Sequence, residues 1–214
     1  IIDEVSGTKN QVRVKLNRLI ELRIIVKNGT FFYFKDKLFK YWIKYVYQKR
    51  LNDIELSPDR QRKEFRDEFN SCVENFKIMT RKGFSSRIVE LLHCFDNESL
   101  RLNGRKYKLP IFRVIEPVRV RNEGGKSYEF LKASTGDEIW FIVMKKDSFV
   151  ESDVTAVLAE VKNIEEKPER CVIISLANLD EGTRVRALQE RFWIWNEREL
   201  NTLLTLFDKP FILK

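Results

Sequence analysis

The first part of the chain spaces its apolar residues at the period of an α-helix. A helix that begins after a cap at Ser6 or Thr8 and ends near Leu22 would place four apolar residues on one face. These are Val12, Leu16, Leu19 and Ile20. Polar and basic residues lie largely off that face, so the pattern predicts an amphipathic helix with a positively charged outer surface.

A short β-hairpin follows this helix in the sequence. Ile24–Lys27 reads as one strand and 30–34 as the returning strand. Asn28-Gly29 between them is a strong hairpin signal, because a type I′ turn needs positive φ at both central residues. A basic helix followed at once by a hairpin is typical of the second half of a winged helix-turn-helix, in which the helix enters the DNA major groove. Ile1–Val5 reads as the end of an earlier helix, and we take the chain to be a fragment of something longer.

The middle of the chain is predicted to be helical. Asp36 caps a helix over 37–50, with aromatic residues that we expect to pack on the hairpin and on the next domain. Ser57-Pro58 starts a second helix, over about 58–80, since proline is favoured at the first helical position. This helix is expected to bury one face, which consists of Phe65, Phe69, Cys72, Val73 and Phe76. A third helix covers about 86–95, and Asn103-Gly104 marks a turn.

From Pro110 onward the apolar period changes from 3.6 to 2. Three strands are predicted in a meander, over 111–121, 127–134 and 138–145. A helix over 152–166, a strand over 171–176, a helix over 181–191, a strand over 192–195 and a helix over 197–207 follow. The sequence thus predicts an α/β (α+β) protein with a winged-helix domain at 1–50, connecting helices at 51–85 and a second domain at 86–214.

Charge strengthens the DNA-binding interpretation. Residues 1–50 contain 12 Lys or Arg against 4 Asp or Glu, while residues 51–214 contain 28 of each, so the net charge of +8 belongs to the first part. Phosphate neutralisation needs such a local excess. We expect double-stranded DNA as the partner. The side chains expected to contact it are Lys9, Asn10, Gln11, Arg13, Asn17 and Arg18 in the groove, with Lys27 and Lys35 on phosphates.

Other chemistry is sparsely supplied. The three cysteines stand far apart and are expected to be buried free thiols in a reducing compartment, and the single histidine, His93, argues against His-based zinc sites and Ser-His-Asp triads. No apolar run reaches the roughly 20 residues that span a bilayer. We therefore expect a cytoplasmic location and no membrane partner.

Three stretches, at 7–47, 138–146 and 171–204, together with the order helix–β–β–β–helix–β, resemble the C-terminal region of archaeal AAA/STAND-type ATPases. In that family a P-loop domain precedes a winged helix and a PD-(D/E)XK, or restriction-endonuclease-like, domain. The resemblance implies an ATPase domain outside this sequence, because no Walker motif is present. ATP and Mg²⁺ are expected only for that domain, and no cofactor for this region. Partners would be DNA, the chain's own ATPase domain or further copies of itself.

The nuclease motif of this family requires Glu-x-Lys on the third strand and a further acidic residue on the second. In one register, Glu-x-Lys falls on Val143-Met144-Lys145, which keeps a vestigial Lys145 and replaces the carboxylate with valine. In the other, Glu160-Val161-Lys162 is the motif and Asp137 or Glu138 is the second acid, which gives an Mg²⁺-dependent endonuclease that uses Glu138, Glu160 and Lys162. The second register needs a strand where the apolar spacing is helical, so we favour the first and expect catalysis to be lost. A third interpretation is a protein-interaction or assembly module without DNA binding.

Overall fold

The computed structural model describes residues 8–48, 51, 58–118, 128–164 and 166–212. The protein combines helices and small β-sheets, so the predicted mixed α/β class is confirmed at that level. Two compact units are present: Ile1–Ile78 with Ser99–Arg101, and Met79–Glu98 with Leu102–Lys214. The finer division into 1–50, 51–85 and 86–214 stays a prediction.

The first unit begins with a helix and a hairpin, as the sequence predicts. Its elements are α1 (Lys9–Glu21), β1 (Ile25–Asn28), β2 (Phe31–Phe34), α2 (Lys37–Trp42) with a π-helical continuation over Ile43–Tyr47, and most of α3 (Pro58–Arg81). Thr8 caps α1, since its hydroxyl accepts the backbone N–H of Gln11 at 3.4 Å. Asp36 caps α2 by accepting the N–H of Leu38 at 2.8 Å. The helical segment predicted at Ile1–Val5 lies outside the described residues.

The turn of the first hairpin differs from the predicted one. Asn28 pairs with Phe31, so the two loop residues are Gly29 and Thr30 rather than Asn28 and Gly29. Gly29 has φ +62°, and Thr30 does not adopt a positive φ, which is the pattern of a type II′ turn with glycine at its first central position. The prediction of a type I′ turn at Asn28-Gly29 is therefore wrong by one residue. Asn28 is used instead for hydrogen bonds to another segment.

Helix α3 has the predicted position but not the predicted burial. None of its described residues is buried, and Phe69 and Phe76 are 42% and 50% exposed. On the apolar face that the spacing predicts, Cys72 and Val73 are half-buried, whereas Phe65, Phe69 and Phe76 are exposed. The expectation that it forms part of a core is wrong.

The second unit is built on a five-stranded sheet. Its strands are β5 (Val114–Val118), β6 (Glu129–Ser134), β7 (Ile139–Lys145), β8 (Arg170–Ser175) and β9 (Trp193–Trp195), in that spatial order. The first three pair antiparallel, and β7, β8 and β9 pair parallel. The helices are α4 (Phe84–Leu92), α5 (Glu151–Asn163), α6 (Glu181–Gln189) and α7 (Glu197–Leu206). Strand β7 is buried on both faces, as its continuous apolar run predicts.

A second hairpin was missed by the sequence analysis. Strands β3 (Glu98–Leu102) and β4 (Arg105–Leu109) form their own two-stranded sheet. Their turn is Asn103-Gly104, with φ of +47° and +76°, which fits the type I′ geometry. The turn dipeptide is recognisable in the sequence, but each flanking strand is only five residues long and contains only two apolar positions, which is too short a pattern to predict a strand.

Candidate functional site

Helix α1 presents a basic outer face. Val12 is its only buried described residue, at 6% exposure, and anchors the helix on its apolar side. All six residues predicted to face a DNA groove are exposed: Lys9, Asn10, Gln11, Arg13, Asn17 and Arg18. Gln11 is partly committed, because its side-chain oxygen accepts the backbone N–H of Thr8 at 2.9 Å. The polar groups of the other five side chains face solvent.

The tip of the β1–β2 hairpin is tied down within the first unit. The Asn28 side chain accepts the N–H of Arg101 at 2.7 Å and donates to its carbonyl at 3.0 Å. Beside it, Thr30 donates its N–H to the carbonyl of Ser99 at 2.8 Å, and the Thr30 hydroxyl accepts the Ser99 N–H at 3.3 Å. A Cβ on Gly29 would lie 1.8 Å from the Ser99 oxygen, so only glycine fits this approach.

Of the two lysines predicted to contact phosphate, Lys27 lies on β1 and Lys35 directly follows β2. Lys27 and Lys35 are both exposed. The Lys27 ammonium lies 5.5 Å from the centre of the Phe32 ring, its cross-strand partner, which orients the side chain by a cation–π contact. Phosphate contact from this hairpin would therefore come from its sides.

In the second unit, Lys145, the motif lysine of the favoured register, forms an ion pair with a buried carboxylate. Its ammonium lies 2.8 Å from Oδ2 of Asp153, which is 0% exposed. The same carboxylate accepts the Tyr128 hydroxyl and, at 3.1 Å, the backbone N–H of Val150. Burial, and then the hydrogen bond to Asp153, raise the pKa of Tyr128. Both oxygens of Asp153 are thus occupied by the protein itself.

Aromatic rings complete the surroundings of this pair. The Lys145 ammonium lies 5.7 Å from the centre of the Tyr128 ring and 5.8 Å from that of Phe149. A lysine that activates water at a scissile phosphate needs access to solvent and a neighbouring metal-bound carboxylate. Lys145 is instead enclosed, with 19% of its side chain exposed.

The remaining nuclease candidates are dispersed. Val143, to which the favoured register assigns the position of the glutamate, is 1% exposed within the core. Glu160 and Lys162 lie on helix α5, so the second register, which requires a strand there, is wrong. The helical spacing of the apolar residues had indicated this outcome. Glu138 precedes β7, at the opposite end of that strand from Lys145.

Asp153 is the partner of Lys145 that the sequence analysis missed. It stands in the first turn of α5, where an acidic residue is favoured by the helix dipole and can accept the N–H of the residue before the helix. That local pattern was readable as a cap, but its pairing with Lys145 depends on the tertiary fold.

Two further observations bear on the site. Among the residues that the structure describes, no group of three or more His, Cys, Asp or Glu is placed to hold a metal ion. Within the same described part of the chain, every helix is too short or too polar to cross a bilayer.

Comparison with known proteins gives little similarity. No protein-family model matches the chain, and no curated protein matches it. The crystal structure of protein VC1899 from Vibrio cholerae aligns over 96% of this chain with 13% sequence identity and a TM-score of 0.32. The chain spans 43% of that protein's length. A similarity at this level assigns neither fold nor function.

Proposed function

We propose that this region binds double-stranded DNA through helix α1 and the sides of the β1–β2 hairpin. The observation that supports the proposal most strongly is the cluster of exposed basic side chains on α1, which form no ion pair with a described carboxylate. Arg13 and Arg18 face solvent, and neither has a described carboxylate partner. Because such cations release counterions when they meet phosphates, they supply affinity in a salt-dependent way.

The second unit would be a PD-(D/E)XK-like domain that has lost catalysis. Support comes from the antiparallel β5–β6–β7 meander followed by α5 and the parallel strand β8, which is the element order of that fold. Support also comes from the Lys145–Asp153 ion pair, because it engages the one lysine that matches the motif. A fold persists after its site is lost, since the core needs volume and pattern while the site needs particular carboxylates.

By its resemblance, the region would form the C-terminal part of an archaeal AAA/STAND-type ATPase in the cytoplasm. By the same resemblance, the ATP and Mg²⁺ of the hydrolysis reaction would bind to the ATPase domain. DNA binding by the first unit would then hold the ATPase domain on DNA.

The test is the double variant Arg13→Ala/Arg18→Ala, titrated with duplex DNA at two salt concentrations. We expect weaker binding and a salt slope smaller by about 2, since two phosphate contacts are removed. The matched control is Arg184→Ala/Arg198→Ala, which removes two exposed arginines from the second unit. If affinity and slope are the same in both variants, α1 is not the DNA-binding element.

A protein-interaction role is the second candidate, and the open face of α3 favours it. Phe65, Phe69 and Phe76 share this face and are each at least 36% exposed. An exposed, contiguous apolar surface of this kind often marks a protein–protein interface. Sedimentation of the wild type against Phe69→Glu/Phe76→Glu tests it for self-assembly. Assembly that the variant loses, with no DNA binding by the wild type, would favour this role over the first.

A further inference from the structure

A cleft crosses one end of the five-stranded sheet in the second unit. Arg113 directly precedes β5, Thr135 follows β6, and Trp140, Arg170 and Trp193 stand at the beginnings of β7, β8 and β9. These positions share one end of the sheet because β7, β8 and β9 are parallel while β6 runs against both of its neighbours. The cleft has a volume of about 590 Å³, within the usual range for small-molecule sites. Lys145 lies at the other end of β7.

The walls of the cleft carry an excess of positive charge. Four cations line it, namely Lys106, Lys108, Arg113 and Arg170, against the two carboxylates Asp137 and Glu138. Among the described residues, none of these six side chains lies within ion-pair distance of an opposite charge. Lys106 and Lys108 project from the same face of β4, since side chains two apart on a strand point the same way. Unpaired cations converging on a concave surface favour an anion there.

Aromatic side chains form the base of the cleft. The Trp193 ring meets Tyr107 at 4.6 Å and Trp140 at 5.0 Å between ring centres, both nearly perpendicular. The Arg170 guanidinium lies 5.2 Å from the centre of the Trp193 ring. Trp193 is thus held in a fixed orientation by three neighbours while remaining half-buried. A rigid indole beside a guanidinium is a surface on which a planar base can stack.

Trp140 packs at the cleft with an indole N–H that is unpaired in the described part of the chain. It is 1% exposed and lines the cleft, and its indole N–H has no hydrogen-bond partner among the described residues. Buried N–H groups are almost always paired in folded proteins, because an unpaired donor has lost its water without compensation. Trp195, which does not line the cleft, has an indole N–H that is likewise unpaired among the described residues, and both N–H groups are themselves buried. The donors that the cleft offers to a ligand are therefore those of its lysines and arginines, which suit a ligand rich in acceptors.

We propose that this cleft binds a nucleotide, with its phosphate on Arg113, Arg170 and the β4 lysines and its base against Trp193. The shared chemistry is a phosphate attached to a planar base, and the source is either a free mononucleotide or a single strand of nucleic acid. The site lies entirely in the second unit. It is independent of the duplex binding proposed for α1, and either can fail without the other.

The experiment is isothermal titration of the full chain with AMP, with a short single-stranded oligothymidylate and with inorganic phosphate. The variant Arg113→Ala/Arg170→Ala should weaken nucleotide binding about tenfold or more, because two charge-assisted contacts are lost. The control Arg184→Ala/Arg198→Ala, with the same change in net charge, should leave it within about twofold of wild type. If the first variant does not fold, Lys106→Glu/Lys108→Glu tests the opposite wall.

The outcomes separate the two sources. Binding of AMP, weakened by the cleft variants, supports a mononucleotide site. Binding of the oligonucleotide alone, weakened by the same variants, supports a strand. The proposal is overturned if neither binds at about 1 mM, if phosphate binds as tightly as AMP, or if the cleft variants bind like the control.

Discussion

The ammonium of Lys145 lies 2.8 Å from the carboxylate of Asp153, and that carboxylate is fully buried. The lysine ends strand β7, and the aspartate stands in the first turn of α5, so the pair joins the central strand to the helix packed on it. Tyr128 and the backbone of Val150 satisfy the carboxylate further. Lys145 thereby has a structural role.

Removing Lys145 should be strongly destabilising. In Lys145→Met, Asp153 keeps a buried charge without its counter-ion, which typically costs about 3 to 5 kcal/mol. Asp153→Asn should cost less, because Lys145 retains some access to solvent. Urea unfolding of the two single variants and of the double variant measures this, and the double variant should lose less than the sum.

The matched control is the neighbouring lysine. Lys146 is exposed, so Lys146→Met should change the unfolding free energy by no more than about 0.5 kcal/mol. Equal stabilities for Lys145→Met and Lys146→Met would show that the buried pair does not contribute as described.

The two hairpin glycines should respond differently to alanine. Both have positive φ, so each substitution carries a backbone strain of about 1 kcal/mol. Gly104 has open space around it, whereas a Cβ at Gly29 would overlap the Ser99 carbonyl. Gly29→Ala should therefore lower the unfolding free energy clearly more than Gly104→Ala, by displacing the hydrogen bonds of Asn28 and Thr30.

Urea denaturation of both variants gives the comparison, and Asn28→Ala identifies the part due to the side-chain bonds to Arg101. Those bonds are worth about 1 kcal/mol each. Equal losses in Gly29→Ala and Gly104→Ala would mean that the hairpin tip does not rest against Ser99.

The sequence predicts local structure correctly where the pattern of a single helix or strand determines it. Helix α1, its Thr8 cap and the buried strand β7 followed from spacing and capping alone. Helix α5 was also identified by spacing, against a tempting Glu160-x-Lys162 motif. Periodicity succeeds there because each residue's environment is set by its own helix or strand.

Features that depend on tertiary contacts could not be predicted from the sequence in the same way. The turn at Gly29 shifted by one residue because Asn28 is recruited by Arg101, 73 positions away in sequence. The spacing of apolar residues along α3 does not show whether another segment covers its apolar face. The Lys145–Asp153 pair and the cleft around Trp193 likewise arise only when distant segments meet.

The Cys171 thiol should be protected in the folded protein. Burial raises its pKa from its ordinary value of 9.0 to about 11. The folded protein holds this proton at pH values where the unfolded chain has lost it. The thiol therefore stabilises the fold fully below about pH 9, and this contribution is lost as the pH rises toward 11.

Alkylation by iodoacetamide, followed by peptide mass spectrometry, tests this protection because the thiolate is the reactive form. At pH 9.5, Cys171 should react far more slowly in the native protein than in urea. Comparable rates in both states would contradict the burial of this thiol.

Arg87 should hold the end of the chain in place. It is 9% exposed on helix α4, and its guanidinium donates to the carbonyls of Pro210 and, at 3.0 Å, Phe211. Burial lowers the pKa of this guanidinium, with Glu90 opposing the shift. Arg87→Lys keeps the charge but loses the planar fork that reaches two carbonyls, and we expect a loss of about 2 kcal/mol in the unfolding free energy.

Hydrogen exchange distinguishes this tether from a general loss of stability. The amide of Ile212 donates to the Asn201 side chain at 3.2 Å, and it should exchange faster in Arg87→Lys than in the wild type. Amides of β7 should change only as the global stability does. Arg184→Ala, on the exposed face of α6, is the control and should leave Ile212 protected. Unchanged exchange at Ile212 in Arg87→Lys would show that the segment is held by its apolar contacts alone.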